Sequence, residues 1–282
     1  MARVKITRFS LRAFLVVTIA LGSLAGYYVQ RAQSQRRATK WVLDNGGAVY
    51  YDYQIDLTKL NQKRITTNGY TPPQWEKSDC EPPGLKVLRD LVGIDYFATV
   101  VSVYINDIQS PMRDLSQLKS LPQLEYLCID FHNSDDCEFT AISSLSEIRR
   151  LEITAPLKDL SFVESLHQLQ VIELFDTDID DLREITNLKC LEQIQIESQV
   201  KNTGPLSYLT NLKSVSINTE DFNIQDFRNL KKLDFLELDV LDCRYSEAQL
   251  SELNLMLPTT AVFVRSNEIP YFESDYHPSS SW

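Results

Sequence analysis

Apolar residues fall at Leu182, Ile185, Leu188, Leu191, Ile194 and Ile196, so a step of three shortens to a step of two within fifteen residues. A surface helix wants apolar positions at alternating steps of three and four, and a half-buried strand wants every second one. Neither covers the stretch alone. A 3-10 turn or similarly tight helical segment, whose side chains eclipse at every third position, followed by a short strand covers it completely. The strand-like part is a hexamer with apolar residues at its first, fourth and sixth places. It starts at Val100, Leu124, Ile148, Leu169, Leu191, Leu212 and Leu233, with a weaker copy at Thr259, and successive starts lie 24, 24, 21, 22, 21, 21 and 26 residues apart. Lead-ins at steps of three precede the copies, as in Leu115, Leu118 and Leu121, in Leu160, Val163 and Leu166, and in Leu206 and Leu209.

One such unit cannot stand by itself. Six buried apolar side chains contribute about 9 to 18 kcal/mol gross, whereas ordering about 22 backbones costs about 22 to 44 kcal/mol. Only stacking of unit on unit, with hydrogen bonds between neighbouring strands, makes the array stable. The pattern resembles the leucine-rich repeat in its shortest class of about 21 to 22 residues. The fold class expected is therefore α/β: a leucine-rich-repeat solenoid with parallel strands on the concave face and short helical or 3-10 segments on the convex face, behind an N-terminal transmembrane helix. Asp181 before the lead-in at Leu182, with Glu184 three residues on, reads as a capping box, and Asp114 reads as a simpler cap. One departure stands out. The eighth residue after each start, commonly Asn in this repeat, is Ile108, His132, Pro156, Thr177, Gln199, Glu220 or Leu241, so the usual asparagine ladder at the bend is absent.

Ahead of the repeats, residues 13–29 carry no charge, and Tyr27 and Tyr28 stand where an interfacial aromatic belt is expected. About 25 Å of helix results. A cleaved signal peptide is the competing reading, with small residues at Ser23 and Ala25. A basic juxtamembrane helix should follow and stop at Asn45-Gly46-Gly47, then a strand over 48–55, then a proline-containing spacer with Trp75 packed down, then a helix over 85–93. The expected domains are 1–30 (basic head and anchor), 31–84 (juxtamembrane helix, strand and spacer), 85–264 (repeats) and 265–282 (a partly disordered tail). Beyond the repeats, "RFSLRAFL" from Arg8, "LDNGGAVYYDYQ" from Leu43 and "LRDLVGIDYFATVVSV" from Leu88 resemble the membrane-anchored leucine-rich-repeat proteins abundant in planctomycete bacteria. That resemblance implies a single-pass or signal-led export arrangement and no established enzymatic chemistry.

Charge sharpens the picture. Eight of the 28 Lys and Arg residues lie before residue 44, where there is no Asp or Glu, which leaves 20 basic residues against all 39 acidic ones in the body. Such a body repels phosphate backbones, so nucleic acid is not an expected partner. The five cysteines never fall in a C-x-x-C spacing, and Cys128 and Cys137 are a candidate pair in an oxidising compartment, with isolated thiols the plainer alternative. Of the three histidines, His132, His167 and His277, the first lies at a repeat bend and the second in a convex lead-in, and these two read as structural. No phosphate loop, H-E-x-x-H or G-x-S-x-G occurs. The run "DTDIDD" from Asp176 begins like a calcium loop but holds Asp181 and Asn187 where glycine and glutamate are required. The run "HNSDDCE" from His132 has no recognised metal spacing. No enzyme activity, cofactor, metal or small-molecule substrate is expected.

Function then rests on the concave face. In the repeat frame its third and fifth positions are Ser102, Tyr126, Arg150, Val171, Gln193, Ser214 and Phe235, and Tyr104, Cys128, Glu152, Glu173, Gln195, Ser216 and Glu237. Tyr104, Tyr126, Arg150, Glu152, Val171, Glu173, Gln195, Phe235 and Glu237 are the candidate partner-binding residues, with aromatic anchors beside carboxylates suited to a basic or mixed protein partner. The expected protein is a non-enzymatic scaffold tethered through residues 13–29 in the cell membrane, its repeats exported. A calcium-dependent adhesion module and a purely structural envelope component are the alternatives.

Overall fold

The structure is a computed structural model, and it describes residues 11–60, 76–77, 80–106, 114–131, 138–219, 222–240, 247–266 and 272–273. The bend positions Ile108, His132, Glu220 and Leu241, together with Trp75, Cys137, Cys243, His277 and most of the "HNSDDCE" run, lie outside the described residues.

The hexamers become strands: β2 (Val100–Asn106), β3 (Tyr126–Asp130), β4 (Arg150–Thr154), β5 (Val171–Phe175), β6 (Gln193–Val200), β7 (Ser214–Thr219), β8 (Phe235–Val240) and β9 (Ala261–Ser266). All eight are parallel and follow one another in sequence order in a single sheet. Parallel neighbours need a crossover, and here each crossover is one coil of chain. The steps of three become 3-10 turns on the return path, among them Ser116–Ser120, Arg183–Asn187 and Gly204–Tyr208. Only the last return is an α-helix, α3 (Glu247–Met256), among the described residues.

The seven clear hexamers send their first, fourth and sixth residues inward, and Leu124, Leu127 and Ile129, or Leu191, Ile194 and Ile196, are all buried in one continuous core with the lead-in leucines; in the weaker eighth copy Thr259 is exposed and, of these three places, only those of Val262 and Val264 are buried. A spine of this kind exists only between coils, which is why no unit folds alone. The missing bend asparagines are replaced a few residues later. Asp114, Asp159, Asp181, Asn202 and Asn223 each accept a bond from the backbone N–H two residues on, at 2.7, 2.9, 2.9, 3.0 and 3.1 Å. These side chains hold the corner where five of the coils turn into their 3-10 segments, whereas Glu138 makes no such bond ahead of the turn Phe139–Ser144. Asp181 thus holds its turn through the N–H of Arg183, and the box expected with Glu184 does not form.

At the N-terminus α1 (Leu11–Asp44) is a single helix of 34 residues, and it combines two roles that the sequence separates. Its first part is exposed along residues 13–30, whereas Ala32, Gln35, Ala38, Thr39 and Val42 are buried against the first coil. Gln35 is the pin: its amide donates to Asp95 at 3.0 Å and to the Ala98 carbonyl at 2.9 Å, and its oxygen accepts from the Val100 N–H at 3.1 Å. Gly46, with φ of 79°, then reverses the chain. Gly47 follows in a space where an added Cβ would stand 2.5 Å from the Tyr104 carbonyl oxygen. β1 (Ala48–Tyr51) pairs antiparallel with β2 and closes the sheet at that end. It is shorter than the eight residues expected, because Asp52 to Gln54 turn and Ile55 bridges Glu76 instead. The helix expected over 85–93 is α2 (Lys86–Val92). At the other end β10 (Phe272–Glu273) pairs antiparallel with β9, so part of the segment read as a disordered tail is strand.

Candidate functional site: the concave face

Sheet register brings the expected face together. Ser102, Tyr126, Arg150, Val171, Gln193, Ser214, Phe235 and Ala261 pair in one unbroken row, and Tyr104, Cys128, Glu152, Glu173, Gln195, Ser216, Glu237 and Phe263 in the next. Every residue expected on the concave side from spacing is on it. Exposure, however, divides the face in two.

Over β2 to β5 the face is covered. Ile55, read as the end of a strand, and Leu57 and Leu60, from the segment read as a spacer, pack with Tyr126, Cys128, Tyr104 and Tyr50 in a second apolar cluster. Tyr126, Arg150, Glu152 and Val171 are therefore buried rather than presented to solvent, against the expectation for these four positions. The chain after β1 has an apolar step of its own at Ile55, Leu57 and Leu60, and these side chains meet the aromatic end of the concave face.

Arg150 is the centre of the covered half, with no exposed surface at all. Its Nε donates to Glu152 Oε1 at 2.7 Å, its Nη2 to Glu173 Oε2 at 2.7 Å, and its Nη1 to the backbone carbonyl of Leu60 at 3.0 Å. Tyr126 donates its hydroxyl to Glu152 Oε2 at 3.0 Å. The guanidinium fork thus ties β4 and β5 to the covering segment, and Tyr126 adds β3 through Glu152. Burial pulls the pKa of Arg150 down, but the carboxylates of Glu152 and Glu173 outweigh that and hold it above the ordinary value. Burial pushes the Glu173 carboxyl up to about 7, where Arg150 pulls it down and the neighbouring Glu152 pushes it up again. Two carboxylates share one cation, and one of them keeps its proton more readily than an ordinary glutamate.

Over β5 to β8 the face is open. Glu173, Gln193, Ile194, Gln195, Ser214, Ser216 and Phe235 line a shallow depression of about 30 Å³, room for one water-sized group. Ser216 donates to Glu237 at 2.9 Å, Arg265 pairs with Glu237 at 2.8 Å, and Phe235 packs against Phe263 at 5.3 Å between ring centres. Gln195 donates to Glu197 at 3.3 Å. This half offers amides, hydroxyls and carboxylates on rigid strands beside a pair of phenyl rings. Tyr104, at the opposite end, is half-buried and donates to Asp130 at 3.3 Å.

The other candidates have structural employment. Asp176 adopts φ of 53°, Asp180 pairs with Lys201 at 3.0 Å, and Asp181 caps its turn and pairs with Arg183. No cluster of three or more His, Cys, Asp or Glu residues able to hold a metal occurs among the described residues. Cys128 is buried beneath Ile55 and Leu60; its pairing with Cys137 involves a residue outside the described ones.

The architecture is that of the leucine-rich-repeat fold. Among solved structures, internalin C2 of Listeria monocytogenes superposes with a TM-score of 0.50 at 22% identity, over 62% of this chain and 75% of that one. Internalin F of the same organism (0.47, 19%, 58% of this chain and 46% of that one) and a leucine-rich-repeat protein of Leptospira interrogans (0.44, 16%, 59% and 44%) are also similar. The likeness establishes the fold. No family model and no curated protein matches the sequence, and the organisms of these structures lend no support to the planctomycete resemblance. α1 is long and apolar enough to cross a membrane, by the same measure that a signal sequence near an N-terminus meets.

Proposed function

We propose that this protein is a non-enzymatic scaffold, tethered to the membrane by residues 13–29, that binds a protein partner through the open half of its concave face. The observation that carries the reading is the division of that face: the chain seals β2 to β5 with its own residues and leaves β5 to β8 uncovered, with polar and aromatic side chains in fixed register. A solenoid gains nothing in stability from such an uncovered strip, whereas phenyl rings and amides on rigid strands are good contact groups. Glu173, Glu197, Glu237 and Asp239 give the strip an acidic character that favours a basic partner segment. Residues Gln195, Phe235 and Glu237 are the contact residues of this proposal; Tyr126, Arg150, Glu152 and Val171 support the surface from beneath. The exposed apolar length of α1 supports the tether.

In-cell photo-crosslinking tests the reading. The photoreactive p-benzoylphenylalanine placed at Gln195 should give one discrete protein adduct that the same group at the convex position Ser143 does not give. Reversing two charges, Glu197→Lys with Glu237→Lys, should weaken the adduct about tenfold, equivalent to about 1.4 kcal/mol. Equal adducts from both faces would refute a concave site.

A further inference from the structure

The seven residues of α2 are arranged inside out. At about 100° per residue, Val87, Leu91, Leu88, Val92 and the preceding Leu85 share an apolar arc of roughly 160°, yet none of them is buried. Leu85, Val87 and Leu91 are 72%, 78% and 78% exposed. On the polar side Lys86 and Asp90 are exposed too, and Arg89 alone is tied down, donating to the backbone carbonyls of the preceding segment at Pro82, at 2.8 Å, and at Pro83 and Gly84. An apolar helical face held outward in this way is costly in water and suits a second, apolar medium.

The course of α1 shows which medium. Gly47, just past its end, lies against Tyr104 at the finish of β2. Gln35 bonds residues 98 and 100 at the start of β2. Arg31 reaches Thr99 at 2.9 Å and Gln123 ahead of β3. Towards its N-terminus α1 therefore runs antiparallel to the strands and leaves the solenoid past the edge where they begin. A Cβ added at Gly93, which closes α2, would stand 3.9 Å from Nη1 of the Arg36 side chain that extends from α1. Arg36 is seven residues beyond Val29, about 10 Å along the helix, which places α2 at the level of a headgroup layer if residues 13–29 fill the hydrocarbon.

Charge follows the same axis. The turns into β6 and β8, on the edge where α1 leaves, carry Lys189 and the pair Lys231 and Lys232. At the far edge, after β5, stand Asp176, Asp178 and Asp180, while Glu197 and Asp239 lie in the later halves of β6 and β8. Tyr208 and Leu255, the large apolar residues that remain exposed in the later coils, both sit four residues before a hexamer start, on the flank of the basic edge.

We infer that the strand-start edge of the solenoid, with the apolar face of α2 as its foot, rests on the anionic bilayer surface in which α1 is anchored. The solenoid then lies along the membrane, its acidic edge pointing away and its concave face opening sideways. This inference rests on the tethered reading above. Apolar side chains beside cationic ones are what an anionic interface retains.

The test uses the full-length protein in lipid nanodiscs, with p-benzoylphenylalanine at Ala20 inside the apolar run, at Leu91 on α2, or at Asp178 on the acidic edge, and mass spectrometry of the adducts. Lipid adducts are expected at 20 and 91 and not at 178, with a several-fold higher yield at 91 in discs containing phosphatidylglycerol than in pure phosphatidylcholine. Lipid adducts at 20 without any at 91 would overturn the inference and leave the anchor standing. Absence of adducts at 20 would overturn the anchor and the inference together. Adducts of doubled protein mass at 91 would assign the α2 face to a second copy of the chain, and equal yields in the two discs would refute the anionic surface.

Discussion

Replacing Arg150 by Met keeps most of the side-chain length and removes the cation that Glu152 and Glu173 share. Three charge-assisted contacts of 2.7, 2.7 and 3.0 Å disappear, and the largely buried carboxylates of Glu152 and Glu173 lose their shared cation. Breaking one partner out of a buried ion pair costs about 3 to 5 kcal/mol. The pH dependence distinguishes this cause from simple loss of packing. Glu173 titrates at about 7 in the folded protein against an ordinary 4.5, so between those values the folded state holds a proton that the unfolded state has lost. The sign follows: this group's favourable contribution is complete below the unfolded value and fades as pH rises towards 7, by on the order of 3 kcal/mol. Without Arg150 the carboxyl is pushed higher still, so the variant should go on losing stability above pH 7, where the natural protein no longer changes through this group. Urea midpoints by circular dichroism in detergent, at pH 5.5 and 8.5, measure the difference. Arg150→Met should show a larger deficit at pH 8.5, and Arg150→Met combined with Glu152→Gln and Glu173→Gln should recover most of it, since a neutral set of similar shape leaves no stranded charge. A deficit below about 1 kcal/mol, or one that is the same at both pH values, would refute this account of the cluster.

Two further predictions concern the ends of the coils. Gln35→Ala removes three buried hydrogen bonds between α1 and the first coil, at about 1 to 3 kcal/mol in all; amides of residues 31–44 should exchange about 10- to 100-fold faster while those of β5 to β8 keep their protection. Hydrogen bonds from Ser161 and from Arg183 hold the Asp159 and Asp181 carboxyls below the usual carboxylate range, so their contribution is present above the unfolded pKa and is lost as pH falls through the folded one. Asp159→Asn with Asp181→Asn should leave the melting temperature at pH 7 nearly unchanged, because Asn caps equally well, and should soften its decline below about pH 4.

Much of the fold is legible in the sequence because its signal is periodic. Leucine-type residues at the first, fourth and sixth places of seven hexamers determine which side chains face inward, and strand alternation then assigns Gln193, Gln195, Phe235 and Glu237 to the opposite face without any knowledge of neighbouring coils. The lead-ins at steps of three likewise determine the 3-10 turns, since eclipsed side chains fit that geometry. The corner caps were harder to read: Asp114 and Asp181 are visible as caps, but Asn202 and Asn223 differ from ordinary polar loop residues only in where the coil brings them.

What the sequence determined by itself was thus the repeat, the row in which each residue stands and the apolar run at the N-terminus. The tertiary structure alone decided which part of the concave face reaches solvent, because that depends on Ile55 and Leu60 meeting Tyr126 and Cys128 about 70 residues further along. It also decided that α1 is one rigid rod docked by Gln35 and that α2 turns its leucines outward. Periodicity is a property of neighbours in the chain. Coverage depends on which distant segment arrives, and no local pattern encodes that.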